Sequence, residues 1–538
     1  MKHFIIIIII VLTTGLARAQ KSDSYFENVQ ATWQLINTFY VDTVNEKALA
    51  RKAIVSMLEQ LDPHSVFIPS EDVQAMNEPL EGNFEGVGIQ FTILKDTLTV
   101  VEAIVGGPSE KVGIMAGDRI TMVDDENIAS TGIKNSDVFK LLRGKKGTPV
   151  NLTIVRKGVN EPKKFRVVRD KIPIYSIGAA YMITPQTGYI KINRFSASTY
   201  EEFMAKLKVL KKSNAQNLIL DLRGNGGGNM KAALDIVDEF LDAGKMMLYT
   251  QGNYLPRRDF NASRGGIWEK ERIAVLIDEG SASASEIVAG AIQDWDRGVI
   301  MGRRSYGKGL VQRPFTLPDN SEIRLTIFKY YTPSGRSIQK PYAETTSGYH
   351  DEIFERMEKG ELMNADSIHL ENNLRLSTLR NKRVVYGGGG IMPDVFVPLD
   401  TSMITRFYRE LYYMGTINQF TMRFIDENRA DFVSRYVNFD KFDKDFAVDD
   451  NLFGQLVADA VNGGITLDDE QVNISEPFIR LQMKAIIASY LWGTNEYFRV
   501  INQSALVIGQ AVELIEERGD YNRILAGLED SYNDLAVD

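Results

Sequence analysis

The chain has 538 residues, 44% of them hydrophobic and 25% charged, which suffices for several packed cores at about 150 residues per domain. It contains no cysteine and four histidines, His3, His64, His350 and His369, which excludes disulfides, thiolate metal sites and thiol nucleophiles and disfavours a histidine-rich metal centre. The formal charge of −9 argues against a nucleic-acid partner.

Lys2 opens an apolar run from Phe4 to Leu16 that ends in Ala17, Arg18 and Ala19. A run of 13 residues is short for a membrane span, which needs about 20, and the small residues fit a secretory signal cleaved after Ala19. Residues 1–19 are read as that signal, which would place the mature protein outside the cytoplasm, in a periplasm; an uncleaved anchor is the alternative. Residues 20–83 carry helical spacing at Val29, Trp33, Ile36, Phe39 and Tyr40, then a second helix from Glu46 to Leu61 that Asp62 and Pro63 stop. His64 lies beside Ser65 in the LDPHS segment, but adjacency in sequence does not aim a base at a nucleophile, so it is read as a turn residue.

Residues 84–170 alternate short strands with glycine and hold one helix near Ser136 to Leu142. Gly86, Val87, Gly88 and Ile89 place flexible backbone before a strand, where consecutive amides can cradle a carboxylate. With Gly117 and Asp118 ahead of RITMVD, and with LLRGKKGTPV, the segment resembles PDZ domains, which bind peptide C termini by strand addition. The resemblance implies that Val87, Ile89 and Val138 line a pocket for the peptide's last side chain; the other reading makes them core.

From 171 to 400 strands alternate with helices: GYIKINRF precedes a helix at Thr199 to Lys212, NLILDLRG one at Met230 to Ala243, and IAVLID one at Ala284 to Trp295. Such repeats imply a mostly parallel sheet covered by helices, with its site beyond the carboxyl ends of the strands. Two strand ends carry unusual chemistry. After NLILDLRG come Asn225 and three glycines, whose amides can face a ligand oxygen, or form a plain turn. After IAVLID come Ser281, Ser283 and Ser285 at a helix start, where a serine caps the helix or serves as a nucleophile near the positive end of its dipole. Lys308 then stands between Gly307 and Gly309 in a loop entering an apolar strand. A crowded apolar setting lowers a lysine's proton affinity and lets it act as a general base where histidine is scarce.

GSASASEIVAGAIQDWDRG and YGKGLVQ, with DLRGNGGG, YYTPSGRSIQ and GGIMPDVFV, make the chain resemble the C-terminal processing peptidases from Phe26 to about Leu399. The resemblance implies a multidomain α/β architecture: a ClpP/crotonase-like βα protease core at 171–400 with an inserted PDZ domain, an N-terminal helical region and an extra C-terminal helical domain. It makes Ser283 the nucleophile, Lys308, 25 residues on, the general base, and Gln312 the residue that positions the lysine. The amides of Gly228 and Ala284 become the oxyanion hole, and Glu286 a helix cap. It implies no metal or organic cofactor and, as substrates, cell-envelope proteins or peptides with free C termini. Relatives that bind ligands without proteolysis supply the alternative, a non-catalytic binding protein. Residues 342–387 form a polar insertion read as a surface lid or arm. Residues 401–538 read as amphipathic helices with stripes such as Phe407, Leu411 and Met414, an added domain or else a surface for an adaptor protein or a second copy.

Overall fold

Runs such as Leu218–Leu220 and Ile273–Ile277 have no polar interruption, and such strands are stable only when both faces are covered. In the computed structural model, which describes residues 25–263, 265–342, 346–369 and 374–528, they form the middle of a six-stranded sheet. Its order is Ile177–Met182, Thr187–Ile192, Asn217–Asp221, Arg272–Ile277, Val299–Gly302 and Val395–Phe396; the first pair is antiparallel and the rest parallel. Side chains alternate between the faces. Leu218, Leu220, Val275 and Ile277 pack under helices Thr199–Lys212, Met230–Asp238 and Ala284–Asp294. Tyr189, Ile219, Ala274 and Leu276 pack on the opposite side against Val507, Leu514 and Ile524.

That second layer corrects the expectation of one C-terminal domain over 401–538. Helices Leu506–Glu516 and Arg518–Ala526 are part of the protease core, because they cover that face of the sheet through Val507, Leu514 and Ile524. The helices between Arg406 and Ile501 do form their own body, around Leu411, Phe420, Leu456 and Met483 and around Phe432, Tyr436, Phe442 and Ile487.

The PDZ-like segment is a five-strand antiparallel path, Ile89–Leu94, Thr97–Ala103, Arg119–Val123, Pro149–Val155 and Lys163–Val168, with helix Asn135–Leu142 beside it. Its entry and exit strands, Asn83–Gly86 and Asp170–Pro173, pair with each other, so the insertion begins and ends at one place. The 342–387 insertion, expected as a surface lid or arm, packs against the loop that precedes Lys308. Within helix Thr346–Glu358, Arg356 is buried and donates to the carbonyls of Ser305 at 3.1 Å and Arg304 at 2.7 Å.

The chain divides into two compact bodies, Met1–Ser70 with Gln312–Thr326, and Glu71–Val311 with Ile327–Asp538. In the smaller body, a helix over 25–39 and helix Glu46–Glu59 precede strand Val66–Ile68, which pairs with Glu322–Arg324. Asp62 organises the LDPHS turn: its carboxylate accepts from the amides of His64 and Ser65 and from the hydroxyls of Ser65 and Thr326. His64 is a buried member of this turn, as expected. The signal expected at 1–19 lies outside the described residues.

Candidate active site

Strand Asn217–Asp221 ends on a fully buried carboxylate, and the loop beyond it is held there by charge. Arg223 Nη2 lies 2.7 Å from Asp221 Oδ2, the Tyr189 hydroxyl donates to the same oxygen at 2.7 Å, and Lys191 Nζ is 3.4 Å from Oδ1. Burial pushes the Asp221 carboxyl up, but Arg223 and Lys191 with these hydrogen bonds outweigh it and hold the group well below the ordinary range. Asn225 then stitches the glycine loop to the serine loop. Its carbonyl accepts from the Ala282 amide at 3.0 Å and the Ser285 hydroxyl at 2.8 Å, and its side-chain oxygen accepts from the Gly227 amide at 2.9 Å.

The three serines separate by what their hydroxyls do. Ser281 Oγ donates to the Leu222 carbonyl at 2.9 Å and Ser285 Oγ to Asn225; both are buried. Ser283 is half-buried at the start of helix Ala284–Asp294 with φ 52° and ψ −107°, a backbone conformation that costs a non-glycine residue energy and must be imposed by its surroundings. Gly227 shows how tightly: with φ +98°, a Cβ there would lie 2.7 Å from the Ala282 oxygen and 2.8 Å from Ser283 Cβ. The Gly228 and Ala284 amides lie on the two loops that meet at Ser283, and among the described residues neither has a hydrogen-bond partner.

Glu286 does more than cap the helix. It is fully buried; Oε2 accepts from the Ser283 amide at 2.8 Å and the Lys308 amide at 2.9 Å, and Oε1 accepts from the Ser305 hydroxyl at 2.5 Å and the Gly307 amide at 2.7 Å. Burial raises its pKa above the ordinary glutamate value, against the pull of these four donors. The Tyr330 hydroxyl adds a second tie, 2.8 Å from the Lys308 carbonyl and 3.1 Å from that of Ser283. Backbone bonds anchor the rest of the lysine loop: Tyr306 N–H to Ser281 O at 3.0 Å and Lys340 N–H to Gly307 O at 3.0 Å. The structure thus brings Ser283, Lys308, Gly228 and Ala284 onto loops stitched to one another. Gln312 lies in the smaller body, where its side-chain amide donates to the His64 carbonyl. Sequence reading missed Asn225 and Tyr330, and saw in Glu286 only the cap; an asparagine within a glycine run was the one available signal.

The residues offered for a peptide pocket or for the core differ in exposure. Val87 and Val138 are buried with Leu98, Val100 and Ile120 in the core of the PDZ-like segment, whereas Ile89 is half-buried at the core's edge. Gly86 bridges to Arg143, and the Gly88 carbonyl accepts from the Ile104 amide at 3.0 Å. Between edge strand Ile89–Leu94 and helix Asn135–Leu142, the Phe91 and Phe139 rings meet edge to face at 5.5 Å. Among the described residues no group of three or more His, Asp or Glu side chains is placed to hold a metal ion, and no helix is long and apolar enough to cross a membrane.

Residues 186–346 match the peptidase family S41 model, residues 86–167 the PDZ domain model, and residues 407–493 a family of unknown function, DUF8443. The chain is 36% identical over 311 residues to a carboxy-terminal-processing protease of Bartonella bacilliformis, covering 57% of this chain and 71% of that one. It is 32% identical over 330 residues to carboxy-terminal processing protease CtpB of Bacillus subtilis, covering 60% and 68%. Among solved structures it is similar to the photosystem II D1 C-terminal processing protease, at 26% identity and a TM-score of 0.35, over 59% of this chain and 90% of that one. A serine in a strained turn at a helix start, on a sheet that carries an inserted PDZ domain, therefore has its place: the chain belongs to the carboxy-terminal processing protease family and is a serine-type endopeptidase.

Proposed function

We propose that Ser283 and Lys308 act as a catalytic dyad on protein substrates whose free C termini are held by the PDZ domain. The observation that carries this reading is the single carboxylate of Glu286, which bonds the backbones of both residues and so fixes the two loops in mutual register. Neutral Lys308 takes the hydroxyl proton of Ser283 as Ser283 Oγ adds to the scissile carbonyl. The amides of Gly228 and Ala284, free to donate, receive the negative charge that develops on the carbonyl oxygen, where preorganised donors are worth most. Lys308 returns the proton to the leaving amine, and water, deprotonated by the same lysine, resolves the acyl-enzyme. Substrate selection rests on strand addition at the free edge of Ile89–Leu94, with the terminal carboxylate at the Gly86–Gly88 turn.

The leader at 1–19 supports action outside the cytoplasm, on proteins of the cell envelope. Ser283→Ala and Lys308→Ala are each expected to abolish cleavage of an unfolded protein with an apolar C terminus while circular dichroism stays unchanged. Substantial residual proteolysis in either purified variant would remove the dyad. Amidating the substrate's terminal carboxylate is expected to slow cleavage, and equal rates would remove the PDZ domain from substrate selection.

A further inference from the structure

The helical body between Arg406 and Ile501 holds none of the residues proposed for the chemistry, and the family model that matches it is one of unknown function. It is anchored at one end to the protease sheet. Asn495 Oδ1 accepts from the Ala180 amide at 2.9 Å, the Tyr181 hydroxyl donates to the Phe498 carbonyl at 3.3 Å, and Asn502 Nδ2 donates to that hydroxyl at 2.9 Å.

Its other end meets the PDZ domain. Strand Thr97–Ala103 sends Leu98 and Val100 into the PDZ core, so Thr99 and Val101 point to the opposite face. That face is covered: Thr99 is buried, and Val101 packs on the cluster built by Ile425, Phe432 and Ala485. Alongside, Arg119 Nη2 lies 3.4 Å from Asp426 Oδ2, and the Tyr490 hydroxyl lies 3.4 Å from Asp426 Oδ1. Lys157 Nζ donates to the Glu427 carbonyl at 3.0 Å. Gly117 approaches so closely that a Cβ there would sit 3.3 Å from Asp426 Oδ1.

We propose that the helical body is a docking platform for this chain's own PDZ domain, with Asp426 at its centre. Anchored to the protease sheet at one end and to the PDZ sheet at the other, it sets where the peptide-binding edge Ile89–Leu94 stands relative to the catalytic loops. The contact is built to be reversible. Beside Val101 it is polar, it encloses a gap of about 90 Å³ lined by Ile93, Thr97, Arg119, Gln419 and Arg423, and an ion pair with a half-exposed partner such as Arg119 is weak and screened by salt. Interfaces between domains of one chain commonly have this character.

The test uses the full chain in a Ser283→Ala background, with amide hydrogen exchange read at residues 97–103. Asp426→Arg and Arg119→Asp each place like charges together and are expected to speed exchange there about tenfold, and raising the salt from about 0.05 M to about 0.5 M to act in the same direction. Combining the two reversals is expected to restore slow exchange. Unchanged exchange in the single variants, or no restoration in the double, overturns the proposal. If Asp426→Arg does not fold, Lys157→Ala and the salt titration decide: faster exchange in both supports the platform, and unchanged exchange in both overturns it. None of these readouts requires proteolysis, so the outcome is separate from that of the dyad.

Discussion

The backbone amides of Ser283 and Lys308 donate to the same oxygen atom, Oε2 of Glu286, at 2.8 Å and 2.9 Å. The serine and lysine loops are thereby held by one rigid group, and the distance between their backbones cannot drift without breaking a buried hydrogen bond.

Glu286→Gln keeps the volume but presents an NH₂ group where one of the two accepting oxygens stood. Losing hydrogen bonds to a buried charged group costs about 1.5–3 kcal/mol, so kcat is expected to fall about 10- to 100-fold with KM little changed. Steady-state kinetics check this. Stability moves with pH in a defined direction. Because burial raises the native pKa above 4.5, Glu286 contributes stability that is present below about that pH and is lost as pH rises through the raised value. Urea unfolding across pH is expected to show this dependence in the parent protein and to lose it in Glu286→Gln.

Asp221 behaves oppositely. Its native pKa is depressed below the ordinary 3.8, so its contribution is present above about pH 4 and is lost as pH falls. Asp221→Asn is expected to cost about 3 kcal/mol at neutral pH, since it leaves Arg223 and Lys191 without their counter-charge. Thermal unfolding of both proteins from pH 7 downward is expected to show the gap closing below pH 4.

Gly227→Ala forces a methyl group against the Ala282 carbonyl and Ser283 Cβ at φ +98°. The expected result is a folded protein in which the serine is displaced, with kcat lower by about 100-fold. Burst kinetics with an active-site acylating reagent locate the loss in the acylation step.

Arg356→Ala removes the donors to the Ser305 and Arg304 carbonyls from a buried site. A loss of about 2 kcal/mol is expected in urea unfolding, together with reduced kcat, because those carbonyls belong to the loop that carries Lys308. Arg356→Lys is expected to restore little, as an ammonium cannot reproduce the planar fork.

The proposed pair Ser283 and Lys308 was marked in the sequence by small-residue frames at strand ends, and the choice of Ser283 among three serines came from the family motif. The link between them was not, since Glu286 and the Lys308 amide are 22 residues apart and only folding reveals that one carboxylate reaches both. The parallel sheet followed from its apolar runs. Val87 and Val138 show the limit of such reading: an apolar residue on a strand or helix has the same periodicity whether it lines a pocket or fills a core. Residues 506–526 show it again, for an amphipathic stripe states that a face will be covered and not by what.

Those last two helices also set an order of events. Until residues 506–526 have left the ribosome, Tyr189, Ile219, Ala274 and Leu276 lack the two helices that cover their face of the sheet, although the serine and lysine loops were made some 200 residues earlier. The catalytic sheet is therefore completed well after its reactive loops are made, and a chain interrupted before residue 506 that carries every reactive side chain still lacks part of the support that holds them in place.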